Sequence, residues 1–254
     1  MSNDDAVRHQ PVVFIHGNSD QAVGTKDNTP LGWSATIRFF LAHGYTPAEL
    51  YATTWGPADP AEAVKQVHSW EHLSRVRAFI VAVLAYTGAD KIDVVSHSMG
   101  VTLARKAIKG GPVKDPDTGQ RRDLGLPLTD RVDAFVGIAG ANWGLTNCYL
   151  AVWTAPTCSS DFGFFPGYLG FGGVWGISRF ISELNDAEHF EGDRVYSIWS
   201  TKDQVVGYGG IVNGRYTSRI PGQDAEMVYH GYPYGHFCTR DLSAPLQLQM
   251  VREH

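Results

Sequence analysis

The stretch Lys91 to Gly110, KIDVVSHSMGVTLARKAIKG, constrains the fold more than any other part of the chain. An apolar, β-branched run of Ile92, Val94 and Val95 stops at a turn of small residues. A helical pattern carried by Val101, Leu103, Ala104, Ala107 and Ile108 begins at once. A short run that is apolar on both faces belongs inside a parallel sheet, and the helix after it packs back onto that sheet. Between the two stands Ser98. A serine on so tight a turn has strained backbone angles and an exposed hydroxyl, and the turn closes only if the positions two before and two after it are small, here Ser96 and Gly100. Ser96 lies at the strand end, before the turn, so Ser98 is the candidate nucleophile. The plainer alternative is an N-cap serine, and partners elsewhere in the chain decide between the two.

An early strand, Gln10 to Ile15, ends abruptly at His16, Gly17 and Asn18. Glycine lets a chain come close to its neighbour, and a backbone N–H there can face a developing oxyanion. The backbone amides of Asn18 and Met99, the residue after the candidate nucleophile, are therefore the expected oxyanion hole. His16 is expected to brace the loop and not to transfer protons. The polar loop from Ser19 to Thr29 is long enough to shape one wall of a cleft. Helical spacing follows over Trp33 to His43, a strand around Leu50 to Trp55, and one long helix over Pro60 to Tyr86. Further strands are expected at Arg131 to Gly140, Arg194 to Trp199 and Glu226 to Tyr229, with short helices at Ile177 to Phe190 and Ala244 to Arg252. Gly110 to Leu128 breaks into Gly, Pro and Asp clusters and reads as an exposed excursion. Strands alternating with helices predict an α/β fold with a mostly parallel sheet and helices on both faces.

At 254 residues the chain fits one α/β domain spanning residues 1–254. A formal net charge of −5 gives no reason to expect nucleic acid or an anionic membrane as partner. The opening residues, MSNDDAVRHQ, lack the basic and apolar regions of a signal peptide, and no run is long enough to span a bilayer, so a soluble chain is expected. No Cys/His grouping has zinc-ligand spacing and no Gly-rich phosphate loop occurs, so neither a metal nor an organic cofactor is expected.

The strand over Arg194 to Trp199 runs into Ser200, Thr201, Lys202 and Asp203, where an acid can face a histidine from a later loop. Asp203 is the expected acid; Asp186, Asp193 and Asp224 are weaker rivals because none directly follows an apolar strand. His236, after a glycine in YPYGHFCTR, is the expected general base, with His230 as runner-up. From Ala141 to Phe171 regular periodicity is lost, and rings alternate with Gly, Pro and Thr. The region of about 141–190 is either an irregular insertion packed on itself or an apolar lid or binding wall, in which Trp143, Phe164, Phe165 and Tyr168 would contact substrate. Cys148 and Cys158 have a spacing compatible with a local disulfide, the alternative being three buried thiols with Cys238.

The segments VVFIHGN, DVVSHSMGV, TAPTC, FGFFPG, KDQV and GHF together resemble the lipase class 2 group of α/β-hydrolases, and within it the extracellular depolymerases of native poly(3-hydroxybutyrate) and related lipases. The resemblance runs across most of the chain, and its TAPTC and FGFFP segments are more specific than the serine turn. It implies the α/β-hydrolase fold and a serine esterase with Ser98, Asp203 and His236 as triad and Asn18 and Met99 at the oxyanion hole. The implied substrates are small-molecule or polymeric esters, and secretion is implied as well. The chain is shorter than those depolymerases around the aromatic insertion and between Asp203 and His236. That bears on polymer specificity and not on ester chemistry. The alternatives are a serine hydrolase of amide or thioester bonds and a non-catalytic binding protein of the same fold.

Overall fold

A computed structural model describes residues 7–26 and 29–253. Most of the polar opening segment, and Asp27 and Asn28 in the loop from Ser19 to Thr29, lie outside the described residues. Six strands form the central sheet: β1 (Val12–Ile15), β2 (Leu50–Thr53), β3 (Ile92–His97), β4 (Val132–Ile138), β5 (Arg194–Ser200) and β6 (Ala225–Tyr229). Their spatial order is β6-β5-β4-β3-β1-β2 and every pairing is parallel. All C-terminal strand ends therefore lie along one edge, where an open α/β sheet presents its loops to ligands.

The strand period of two divides the core between the two faces. Val13, Ile15, Val94 and Phe135 pack under α2 (Trp70–Thr87) and α3 (Met99–Lys109). Val12, Phe14, Val95, Val136 and Ile198 pack on the other face with Phe40 of α1 (Ser34–Ala42) and the C-terminal Leu248, Met250 and Val251. The expected helices at Ile177 and at the C-terminus are α4 (Arg179–Leu184) and α6 (Ala244–Met250).

Two helical expectations change. Pro60 to Tyr86 is not one helix. A short turn over Pro60–Lys65, capped by the Asp59 carboxylate on the Ala61 N–H at 2.9 Å, is followed by extended backbone, and α2 then starts afresh with Ser69 as N-cap. The break is held from outside, because the His68 N–H donates to the Phe162 carbonyl at 3.0 Å. His236 is not on a loop but is the first residue of α5 (His236–Leu242), whose start is tied by the Thr239 N–H and Oγ1 to the Gly235 carbonyl, both at 2.8 Å.

The segment after β4 contains a helical turn at Cys148–Ala151, a tighter one at Pro156–Cys158 and a hairpin pairing Tyr168–Gly170 with Gly173–Trp175. Cys148 and Cys158 are disulfide-bonded and buried, whereas Cys238 is exposed. The excursion after α3 is a second hairpin, Pro112–Lys114 with Arg121–Asp123. Among the described residues, no helix is long and apolar enough to cross a membrane.

Candidate active site

The turn between β3 and α3 places Ser98 at φ 55° and ψ −129°, a conformation that non-glycine residues rarely adopt. Its backbone is held on both sides: the Ser98 N–H donates to the Ile138 carbonyl at 2.9 Å and its carbonyl accepts from the Val101 N–H at 3.0 Å. Strain is retained where the surroundings over-determine it, and here they do. A Cβ on Gly100 would lie 2.3 Å from the His16 carbonyl oxygen, and one on Gly17 would lie 2.9 Å from the Ser98 Cβ. Both glycines are therefore required by close approach of β1 and its loop to the serine turn. Ser96 is fully buried with its hydroxyl on the Val136 carbonyl at 3.3 Å, and so is unavailable as a nucleophile.

His236 and Asp203 meet beside this turn. The His236 Nδ1–H donates to Asp203 Oδ2 at 2.7 Å, with both side chains almost wholly buried. The other carboxylate oxygen, Oδ1, accepts from the N–H groups of Val205 at 2.8 Å and Val206 at 3.0 Å. Asp203 is thus both a turn aspartate and the partner of an imidazole, one oxygen for each role. The rivals are engaged elsewhere: Asp186 with Lys109, Asp193 with Lys91, and Asp224 with His189 and the Val195 N–H. Asp224 precedes β6 and so sits at the opposite edge of the sheet from Ser98. His230 is exposed.

The role of the residue before the serine is not marked in the local sequence. His97 is fully buried, its Nε2–H donates to the His236 carbonyl at 3.2 Å, and its ring lies 4.6 Å from that of His236. Burial, and then the neighbouring His236 and Arg240, hold its pKa well below the usual imidazole range, so it stays neutral. His97 therefore braces the start of α5 without titrating near neutrality.

His16 braces the opposite side. Its Nδ1–H donates to the Gly17 carbonyl at 2.7 Å, its Nε2 accepts from the Trp55 N–H at 3.2 Å, and its ring stacks on Trp55. Burial lowers its pKa to about 4, and with both nitrogens engaged it has no free position for proton transfer. Asn18 is anchored by its side-chain amide on the Ala63 carbonyl at 2.8 Å. The Met99 N–H, at the first position of α3, is one that a helix leaves without an internal acceptor.

A cleft of about 570 Å³ opens on Ser98, His236, His97 and Asn18. Its remaining wall comes from Ser19 to Gln21 and Leu31 on one side, Ala58, Pro60 and Ala63 on another, and Val205 with Phe237 next to the acid and the base. The four aromatic residues expected to contact substrate are not in that wall. Phe164 is buried in the core, edge-on to His68 at 4.7 Å, and Phe165 is buried against Tyr168. Tyr168 is half-exposed on its hairpin with its hydroxyl on the Tyr149 carbonyl at 3.2 Å. Trp143 lies under the Arg215 guanidinium at 4.4 Å in a separate groove with Tyr216 and Arg219. Phe165 and Tyr168 pack on their own segment, Phe164 joins the main core and Trp143 meets Arg215, so none of the four reaches the cleft at Ser98. Among the described residues, no group of three or more His, Cys, Asp or Glu side chains is placed to hold a metal ion.

The family model for lipase (class 2) matches residues 9–248. No curated protein sequence matches the chain. Solved structures of similar fold include the mature form of a Bacillus licheniformis lipase, at 13% identity and a TM-score of 0.58 over 97% of this chain and 96% of that one. A metagenome-derived lipolytic enzyme matches at 17% identity and a TM-score of 0.53, covering 97% of this chain and 94% of the other. A monoacylglycerol lipase of Paleococcus ferrophilus matches at 12% identity and a TM-score of 0.53, with 97% of each chain covered. The fold common to all of them is the α/β-hydrolase fold.

Proposed function

The chain belongs to the class 2 lipase family, a family of ester hydrolases, and we propose that it is a serine esterase that works through an acyl-enzyme on Ser98. The observation that carries this is the buried Asp203–His236 hydrogen bond opening on the same cleft as a serine held at positive φ. In the proposed reaction, His236 Nε2 takes the Ser98 hydroxyl proton as Oγ attacks the ester carbonyl carbon. Asp203 holds the Nδ1–H tautomer and stabilises the imidazolium that forms. The tetrahedral oxyanion is received by the N–H groups of Asn18 and Met99, and loss of one such donor typically costs about 3 to 4 kcal/mol of barrier. The imidazolium then returns its proton to the departing alcohol, and water activated by His236 releases the acid.

The acyl part is proposed to be apolar, because Leu31, Val205 and Phe237 line the same cleft as Ser98. Polyester hydrolysis is the narrower proposal and rests on the sequence resemblance. The Cys148–Cys158 bond supports an oxidising, extracellular compartment. The deciding experiment treats wild type and Ser98→Ala with a fluorophosphonate and with a panel of p-nitrophenyl esters, triglycerides and amorphous polyester. Covalent labelling and ester turnover that both vanish in Ser98→Ala are expected. Turnover surviving in that variant would overturn the assignment, and labelling with turnover only of amides or thioesters would redirect it.

A further inference from the structure

Arg240 stands one helical turn beyond His236 on α5 and is buried, with 3% of its surface exposed. Its Nη1 donates to Asp20 Oδ2 at 2.5 Å and its Nε to Asp241 Oδ1 at 2.7 Å. Its carbonyl accepts from the Gln247 side chain at 2.6 Å, which ties this part of α5 to α6. On the other side of the pair, Asp20 lies two residues beyond Asn18. Its N–H closes the turn on the Gly17 carbonyl at 3.4 Å, and its Oδ1 caps the Gln21 N–H at 2.8 Å. Ser19, between Asn18 and Asp20, is held at φ 55°, in the left-handed region that favours glycine.

A strained turn keeps its shape only if it is fastened, and this one is fastened at three points. The His16 ring holds the Gly17 carbonyl, the Asn18 side chain holds Ala63, and Asp20 grips the helix that begins with His236. Burying an ion pair adds little net stability, because desolvation offsets most of the attraction. Its placement is what distinguishes it: the pair ties the loop that carries Asn18 to the helix that begins with His236.

We propose that Asp20 and Arg240 are a positioning pair that sets the Asn18 N–H against the His236 imidazole, so that the oxyanion and the proton acceptor are served at once. Neither side chain reacts; both act through the residues beside them. This rests on the serine-esterase function proposed above.

The test uses the full chain with Asp20→Asn, Arg240→Lys and the double variant, measuring kcat and KM on a soluble p-nitrophenyl ester. Inhibition by a trifluoromethyl ketone, whose adduct with a serine needs the oxyanion hole, is measured in parallel, with melting temperature as control. Misplacement of a catalytic group by about 1 Å costs roughly a hundredfold, so each single variant should lose about tenfold to a hundredfold in kcat with KM within about threefold. The inhibition constant should rise by the same factor, and the double variant should be little worse than the poorer single one. Unchanged kcat with a lower melting temperature, or a proportional rise in KM, would overturn the proposal. So would undiminished ketone affinity, or loss of the fold in both single variants, which would assign the pair to stability alone. Failure of the ketone to inhibit wild type would count against the esterase function itself, whereas wild-type inhibition with undisturbed variants counts only against the pair.

Discussion

Two segments leave adjacent strands at the same edge of the sheet and place their side chains by different means. The loop after β5 is held by directed hydrogen bonds: Asp203 is met by two backbone N–H groups and the His236 ring, and Gln204 accepts from the His236 N–H at 3.2 Å. The segment after β4 has backbone hydrogen bonds too, such as Leu145 N–H to the Phe164 carbonyl at 3.0 Å, but adds ring contacts and a disulfide, with Phe164 and Phe165 inside and Leu150, Trp153 and Phe171 open to solvent. Hydrogen bonds fix the direction of a side chain, which proton transfer needs; ring packing fixes only volume, which a core needs. The aromatic richness of the second segment therefore goes with how it folds, and the cleft that opens on Ser98 is lined instead by Val205 of the first.

The comparison breaks most sharply at the proposed triad. Ser98→Ala and His236→Ala should each lower ester turnover by about a thousandfold or more, and the two together little further, because they act as one unit. Asp203→Ala should fall close behind, while Asp224→Ala, at the opposite sheet edge, should leave turnover unchanged; a deficient Asp224→Ala would move the acid. The next effect separates the segments by kind. Phe164→Ala should cost about 3 to 5 kcal/mol of stability by leaving a cavity, yet keep the wild-type ratio of long-chain to acetate hydrolysis. Phe237→Ala, half-exposed at the cleft, should shift that ratio with little loss of stability. A kinetic and thermal series on both variants tests this, and a chain-length shift in Phe164→Ala would return the aromatic segment to the substrate site.

The sequence was legible where structure is local. The serine turn, the histidine-glycine loop and the acid past a late strand each sit at a strand end, so a few adjacent residues reveal them. The break at Gln66 to Ser69 was not legible, because the apolar spacing through Val64 and Val67 continues the helical pattern while the interrupting bond comes from Phe162, 94 residues from His68. The cleft walls were only partly legible. Val205 and Phe237 adjoin the acid and the base, but Leu31, Ala58 and Ala63 are ordinary small or apolar residues that topology brings to the serine. The Asp20–Arg240 pair, 220 residues apart, left no mark in either local pattern.

A smaller effect concerns what closes the aromatic segment. The Cys148–Cys158 bond spans ten residues, and a loop of that size is stabilised by about 2 to 3 kcal/mol on the chain-entropy account. Replacing both cysteines by serine should lower the melting temperature while leaving kcat at low temperature close to wild type. Loss of kcat in a variant that is still folded would show that the segment holds the cleft as well as itself.

The smallest expected effect concerns two buried histidines, one packed against the aromatic segment and one beside the cleft. His68, beneath the aromatic segment, donates its Nδ1–H to the Phe162 carbonyl and accepts at Nε2 from the Thr102 hydroxyl, both at 2.7 Å, and stacks on Phe180. Burial lowers its pKa to about 3, and burial lowers that of His16, beside the cleft, to about 4. In the unfolded chain both titrate near their ordinary 6.5. Between those limits the unfolded chain binds protons that the folded chain refuses, so stability is full above about pH 6.5 and falls as pH drops towards the folded values. At pH 5 each should cost about 1 to 2 kcal/mol relative to pH 7. His68→Gln should melt lower than wild type at pH 7 but lose less on going to pH 5, and His16→Gln should do the same. Melting temperatures at the two pH values measure this. An undiminished acid drop in His68→Gln, with a diminished one in His16→Gln, would show that acid opens the molecule at the cleft first and leaves the aromatic segment packed.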